Sequence, residues 1–192
     1  MRMSLISAAI ASVVLVFAPP PPAVAGMRDR SVEVGPYFTY GNFDNESNIE
    51  NDGGLGGRLG ILFNKQHELE FSIDQIDTED NFGGQLDVQL TSFKLGYIYN
   101  FAPSKAVVPF LTSGLGWQNL QISQDTFDGS FELDDQDDPL AYVGFGVRFF
   151  VGPVFNIRGE AQAVGVFPDG DLDDALIDGV FNVGIGWVIG GH

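Results

Sequence analysis

Residues 141–160 read AYVGFGVRFFVGPVFNIRGE, and their pattern indicates how the whole chain folds. Apolar side chains occupy every second position from Ala141 to Val151, with tyrosine, glycine, arginine and phenylalanine between them. Such period-two alternation is typical of a β-strand with one apolar face. A Gly-Pro pair at 152–153 interrupts the alternation, which then resumes, and this pair is a strong turn signal. The stretch therefore predicts two antiparallel strands joined by a very short turn.

The same alternation recurs along the chain and predicts eight strands. They are Ser31–Gly41, Gly54–Asn64, His67–Asp77, Gln85–Phe101, Val107–Ile122, Pro139–Val151, Val154–Phe167 and Gly179–Ile189. The fourth and fifth are long, and we expect them to project past a membrane. In the fourth strand the apolar positions change parity near Thr91, which indicates either a bulge or the point where the strand leaves the membrane. No linker or second domain is visible, so residues 26–192 are predicted to form one domain.

The connections between the predicted strands alternate in length. Those after the second, fourth and sixth strands are short turns, whereas the others are long, acidic and free of Lys and Arg. This long-short asymmetry is how an up-and-down β-barrel is threaded through a bacterial outer membrane. A sandwich of two sheets, each with one solvent-exposed face, would also explain the alternation. Nothing in a sandwich, however, requires short and long connections to alternate along the chain.

The second face of the strands is polar, charged or glycine. A soluble ligand-binding barrel such as a lipocalin needs an apolar interior, so this pattern argues against one. It favours an inside-out barrel, with apolar side chains toward lipid and polar ones toward the lumen. The predicted fold class is therefore all-β, an eight-stranded antiparallel up-and-down transmembrane β-barrel.

The first 25 residues form a predicted signal peptide. Arg2 precedes an apolar run from Leu5 to Phe17, and prolines and an Ala23-Val24-Ala25 cleavage site follow. That run is shorter than the ~20 residues of a membrane-spanning helix. The full chain carries a net charge of −17, which argues against nucleic acid as a partner. There is no cysteine and hence no disulfide framework.

Two segments carry a family resemblance. Val108–Trp117 (VPFLTSGLGW) and Gly144–Phe150 (GFGVRFF), the latter followed by Asn156–Glu160 (NIRGE), are similar to the fifth, sixth and seventh strands of the eight-stranded outer-membrane β-barrel family. That family includes OmpA-type barrel domains and small porin-family proteins. The resemblance implies a structural barrel of the Gram-negative outer membrane with a plugged, charge-paired lumen. It also implies that short turns and both termini face the periplasm.

Charged residues on the polar face form the candidate site. The lumen charge cluster that we select is Arg58, Glu70, Lys94, Arg148, Arg158 and Glu160. Glu33, Glu68 and Asp74 share the same face but stay outside this selection. Because the lumen of an eight-stranded barrel is just wide enough for its own side chains, these charges are expected to pair across it. Either they hold the barrel together, or they form a gated ion path by exchanging partners.

The acidic loops are the second candidate. Asp134–Asp138 and Asp169–Asp174 offer oxygen ligands for Ca²⁺ or Mg²⁺, although neither has EF-hand spacing. One interpretation is a solvated, non-adhesive surface, and the other is weak divalent binding that bridges to lipopolysaccharide. No resident metal or cofactor is predicted. His67 in a short turn and His192 at the last position lie near no obvious serine partner, so no catalytic residue is predicted.

The predicted function is a structural or surface-interaction outer-membrane protein, active in envelope integrity or adhesion and not an enzyme. The alternative is a small-pore, cation-leaning, porin-like channel. The expected partners are outer-membrane lipid and lipopolysaccharide, and the protein is expected to be a monomer.

Overall fold

Eight antiparallel strands form a closed barrel in a computed structural model of the protein. The structure describes residues 26–43, 51–79, 87–126, 129–167 and 176–191, so the predicted signal peptide and parts of the acidic loops lie outside it. The strands are β1 (Ser31–Asn42), β2 (Gly53–Leu62), β3 (His67–Glu79), β4 (Asp87–Asn100), β5 (Val107–Thr126), β6 (Gly129–Phe150), β7 (Phe155–Val166) and β8 (Leu176–Gly190). Each pairs with its neighbour in sequence, and β1 closes the barrel on β8. The predicted fold class is confirmed.

Three tight turns define one end of the barrel, which we call the turn end; the opposite end is the loop end. In the first turn, the Asn64 side chain accepts hydrogen bonds from the backbone amides of Gln66 (2.8 Å) and His67 (3.0 Å). Such a side-chain bridge is the ordinary reason for asparagine in a turn. In the third turn, Gly152 has a φ of +91°, a backbone conformation that favours glycine. The asparagine and glycine at these positions thus stabilise the short connections.

Apolar side chains face outward along every strand. Large ones that remain exposed include Leu55, Phe71, Leu95, Leu115, Phe145 and Val183. No helix in the described ranges is long and apolar enough to cross a membrane. An outward apolar surface of this extent on a closed barrel is what lipid requires.

The interior has apolar layers at both ends, which the sequence analysis did not predict. At the turn end, Met27, Leu62, Val108, Phe150 and Val188 pack together and are buried. Two clusters lie at the loop end: Ile76, Val88 and Leu90 on one side, and Leu140, Tyr142, Val164, Val166 and Val180 on the other. The buried cations lie between these layers with most of the buried carboxylates, whereas Asp138 and Asp178 are buried at the loop end. The lumen is therefore mainly apolar at its ends and densely charged in its middle.

The loop-end layer also corrects the prediction for the fourth strand. Pairing between β4 and β5 runs without a break from Asp87–Ser123 to Asn100–Phe110, so there is no bulge near Thr91. Val88 and Leu90 are buried and face inward, on the same side as Lys94. The apparent change of parity arises because the lumen itself turns apolar at this height.

The longest strands are β5 and β6, not the fourth and fifth as predicted. The predicted sixth strand began at Pro139, whereas β6 begins at Gly129 and pairs with β5 through Thr126–Gly129. The register shifts once, between Ile122 and Ser123. Much of the expected acidic loop is thus an extended hairpin. Backbone pairing with β5 outweighs the poor strand propensity of the many aspartates in the first half of β6.

A short strap formed by residues 26–30 lies across the turn end. The Met27 amide donates to the Pro103 carbonyl (2.7 Å), and an Arg28 guanidinium nitrogen donates to the Gly190 carbonyl (3.2 Å). Asp29 accepts from the Lys65 amide (2.9 Å). These bonds tie the strap to two turns and to the end of β8. They hold the Met27 side chain in the turn-end apolar layer.

Candidate functional site

Arg148 is the centre of the charged group nearest the turn end. It projects inward from β6, is 0% exposed, and lies between Glu33 of β1 (Nε to Oε2, 3.4 Å) and Glu68 of β3 (Nη2 to Oε2, 2.8 Å). Its Nη1 also donates to Oδ1 of Asn100 (2.6 Å). Glycine at position 60 leaves room for the Glu68 carboxylate, which would have to shift if a side chain began there. One guanidinium thus ties four strands together.

Arg158 is the centre of a second group, one layer further from the turn end. It forms a two-pronged pair with Glu70, in which Nη1 meets Oε2 and Nη2 lies 3.1 Å from Oε1. Nη2 also donates to Oε2 of Glu160 (2.6 Å). Gln162 donates to the other Glu160 oxygen (2.7 Å). The contact of Arg58 with Glu160 is long, with 3.9 Å between Nη1 and Oε2. Two-pronged arginine–carboxylate pairs combine strength with a fixed geometry.

Phe110 of β5 connects the two arginine groups. The guanidinium carbons of Arg148 and Arg158 lie 4.8 Å and 4.5 Å from the centre of its ring. These two arginines are direct register partners on β6 and β7, so their like charges face each other. Cation–π attraction to a shared ring, worth up to ~2 kcal/mol when desolvated, offsets part of that repulsion. The sequence analysis missed Phe110, and the inward parity of position 110 was the available signal.

Lys94 belongs to a third group with Asp74 and Tyr37. Its ammonium lies 2.9 Å from Asp74 Oδ1, and the Tyr37 hydroxyl donates to the same oxygen at 2.7 Å. The Tyr37 ring lies under Arg58, 4.5 Å from the guanidinium carbon. Among the residues that the structure describes, no ion pair joins Lys94 to the arginine groups.

Replacing Tyr37 with phenylalanine is expected to lower the free energy of unfolding by about 1.5–3 kcal/mol, because the lost hydrogen bond goes to a charged group. The measurement is urea unfolding of the refolded protein in lipid vesicles. Tyr40→Phe is the matched control, since Tyr40 points outward and is 41% exposed. Equal losses in the two variants would contradict the importance of the Asp74 contact.

The structure places all six residues of the lumen charge cluster inside the barrel, where each is buried. It brings Arg58, Glu70, Arg158 and Glu160 into one group and separates Arg148 and Lys94 into two others. Glu33, Glu68 and Asp74 are direct partners that the cluster had left out. Their positions on the inward face were visible in the sequence. Their assignment to particular cations was not visible, because it depends on the register of β3 against β4 for Asp74 and on strands distant in sequence for Glu33 and Glu68.

The arrangement is suited to mutual charge compensation rather than to bond-making chemistry. His67 lies on the outer surface with its Nδ1 against the Tyr97 hydroxyl, on the opposite face of β3 from the neighbouring lumenal carboxylate of Glu68. His192 lies outside the described residues. Across the described ranges, no three His, Cys, Asp or Glu side chains are placed to hold a metal ion.

A family profile described as "Outer membrane protein beta-barrel domain" matches residues 8–188. No curated protein sequence matches the chain significantly. Among solved structures, it is similar to the N-terminal β-barrel domain of Pseudomonas aeruginosa OprF, at 19% identity and a TM-score of 0.58 over 84% of this chain and 99% of that one. It is also similar to Ail, the attachment invasion locus protein of Yersinia pestis, at 17% identity and a TM-score of 0.53 over 86% and 99%. The outer membrane protein OprG of Pseudomonas aeruginosa aligns at 12% identity and a TM-score of 0.54 over 85% and 98%. At these identities the likeness is one of fold.

Proposed function

This chain belongs to the outer membrane β-barrel family and lies in the outer membrane, and we propose that it serves there as a structural or surface-interaction protein. In this proposal its lumen is closed and it catalyses no reaction. The observation that carries the proposal is the filled cross-section, with Arg148 at 0% and Arg158 at 1% exposure between apolar layers at both ends. A barrel packed in this way holds its shape without a ligand.

Planar-bilayer recording tests the closed lumen. We expect the wild-type protein to give no conductance steps at any holding voltage. The double variant Arg148→Ser/Arg158→Ser is expected to conduct, because it removes the two largest fully buried side chains. The double variant is also the positive control, because its conductance shows that the recording detects an open lumen. Steps from the wild-type protein would overturn the proposal.

A channel is the second candidate, and one observation favours it. Arg58 Nε and Nη2 are buried without a hydrogen-bond partner among the described residues, and its contact with Glu160 is long at 3.9 Å. A loosely held guanidinium can exchange carboxylate partners and so open a path. In that case the wild-type protein itself would conduct, and Arg58→Met would change the size or frequency of the steps.

The biological half of the proposal needs a cellular test. A strain without this protein is expected to be more sensitive to detergent and to chelation of divalent cations. Complementation with the wild-type protein should restore resistance. Unchanged resistance of the deletion strain would argue for surface interaction over envelope integrity. As part of the same proposal, the acidic loops bind divalent cations weakly. One of these loops, Asp169–Asp174, lies outside the described residues.

A further inference from the structure

One outward patch at the turn end has a composition unlike the rest of the apolar surface. It consists of Lys65 and Gln66 in the first turn, His67 at the start of β3, and Tyr97 and Tyr99 on β4; we call it the donor patch. Tyr97 is 44% exposed, so the patch is open on the outside of the barrel. It contains five polar side chains and no carboxylate.

The rings of the donor patch are held in a fixed arrangement. The His67 ring centre lies 5.9 Å from that of Tyr97 and 5.4 Å from that of Tyr99, the second in an edge-on contact. Nδ1 of His67 bonds to the Tyr97 hydroxyl, and Gln66 donates to the Tyr99 hydroxyl at 3.4 Å. These contacts come from two neighbouring strands and the turn before them. The imidazole is therefore oriented before any partner arrives.

This arrangement leaves donors of His67 and Lys65 without hydrogen-bond acceptors in the described part of the chain. When the Tyr97 hydroxyl donates to Nδ1 of His67, the imidazole proton is on Nε2, and the imidazolium form carries a proton there as well. Among the described residues, none is hydrogen-bonded to Nε2, and none forms an ion pair with Lys65. The Asp29 carboxylate accepts from the Lys65 backbone amide (2.9 Å) but forms no ion pair with the Lys65 ammonium. An N–H and an ammonium that both lack an anionic partner fit an anion.

The position of the donor patch identifies the kind of anion. Exposed Phe63 and Phe101 flank it at the strand ends, where aromatic side chains mark the membrane–water interface. Short turns of bacterial outer-membrane barrels face the periplasm, so this interface is that of the phospholipid leaflet. The anion available at that depth is the phosphodiester of a glycerophospholipid. A free phosphate ion would meet the patch only from the water side.

We propose that Lys65, His67 and Tyr97 form a binding site for the phosphodiester of a glycerophospholipid on the outer wall of the barrel. His67 Nε2 and the Lys65 ammonium bind the phosphate oxygens, while Tyr97 fixes the imidazole. The acyl chains lie along the outward apolar side chains of β3, Leu69 and Phe71. The site depends on the outer surface and holds whether or not the lumen conducts.

The test is a titration of the detergent-solubilised full barrel with short-chain phosphatidylglycerol, followed by native mass spectrometry. We expect Lys65→Gln and His67→Gln each to weaken binding about fivefold, the equivalent of the ~1 kcal/mol that a surface cation contributes at an anionic membrane. Lys105→Gln is the matched control, because Lys105 is an exposed cation in another turn of the same rim. Its affinity should equal that of the wild-type protein. Heat-modifiable migration on gels shows that each variant is folded.

Two further probes separate the sources of binding. Diacylglycerol of the same chain length is expected not to bind, and millimolar inorganic phosphate is expected not to displace the lipid. Equal binding of diacylglycerol would overturn the proposal in favour of apolar contact alone. Displacement by phosphate would overturn it in favour of a site for a soluble anion. An equal loss in Lys105→Gln would reduce the site to general attraction by a basic rim.

Discussion

Replacing Arg148 with methionine is expected to lower the free energy of unfolding by about 3–5 kcal/mol. The substitution keeps most of the side-chain volume but leaves Glu33 and Glu68 buried beside each other without their shared cation. It also removes the hydrogen bond to Asn100. Urea unfolding and refolding in lipid vesicles measures it.

The control and a rescue variant distinguish lost charge pairing from lost packing. Lys105→Met removes an exposed cation at the turn end and should change stability by less than ~1 kcal/mol. Combining Arg148→Met with Glu33→Gln and Glu68→Gln should recover most of the loss, because no uncompensated charge then remains in the lumen. If the triple variant is no more stable than Arg148→Met alone, packing rather than charge is the cause.

Placing an arginine on the outward face at mid-height is expected to cost about 2–4 kcal/mol, whereas the same change at the rim should cost about 0–1 kcal/mol. Val183 and Val107 form the matched pair. Val183 is in the middle of β8 and 60% exposed, while Val107 begins β5 at the turn end and is 46% exposed. Val183→Arg buries a charge in hydrocarbon, and Val107→Arg can extend its charge to the headgroups.

The measurement is the unfolding free energy of both variants in bilayers of one lipid thickness, repeated in detergent micelles. In micelles the difference between them should shrink, since a micelle deforms around the charge more easily than a bilayer. Equal costs in bilayers would mean that Val183 does not face the centre of the apolar band.

Only part of the candidate site could be predicted from the sequence. Parity placed Arg58, Glu70, Lys94, Arg148, Arg158 and Glu160 on one face, and all six are buried inside. Parity could not show that Lys94 pairs with Asp74 while Arg158 takes Glu70. The first pairing joins neighbouring strands and depends on the register of β3 against β4. The second crosses the lumen from β7 to β3 and depends on the closure of the barrel.

The apolar ends of the lumen were hidden for a related reason. Val88 and Leu90 read as outward residues of a shifted strand, because an apolar side chain on a barrel with a polar lumen was expected to face lipid. The structure places them inward, where Ile76 packs against them. Period-two alternation tells which residues share a face, but not which medium that face meets at each height.

The amino-acid sequence alone determined the class of fold, the number of strands, the short turns and the membrane in which the protein lies. Each of these follows from local patterns, namely alternation along a strand, turn residues between strands, and the length of the connections. The folded barrel was needed to show which cation meets which carboxylate, where the lumen becomes apolar, and how far β5 and β6 extend together. Most of the charge pairs join strands that are far apart in the chain and that meet only once the barrel has closed. The length of the β5–β6 hairpin depends instead on strand pairing that outweighs local strand propensity.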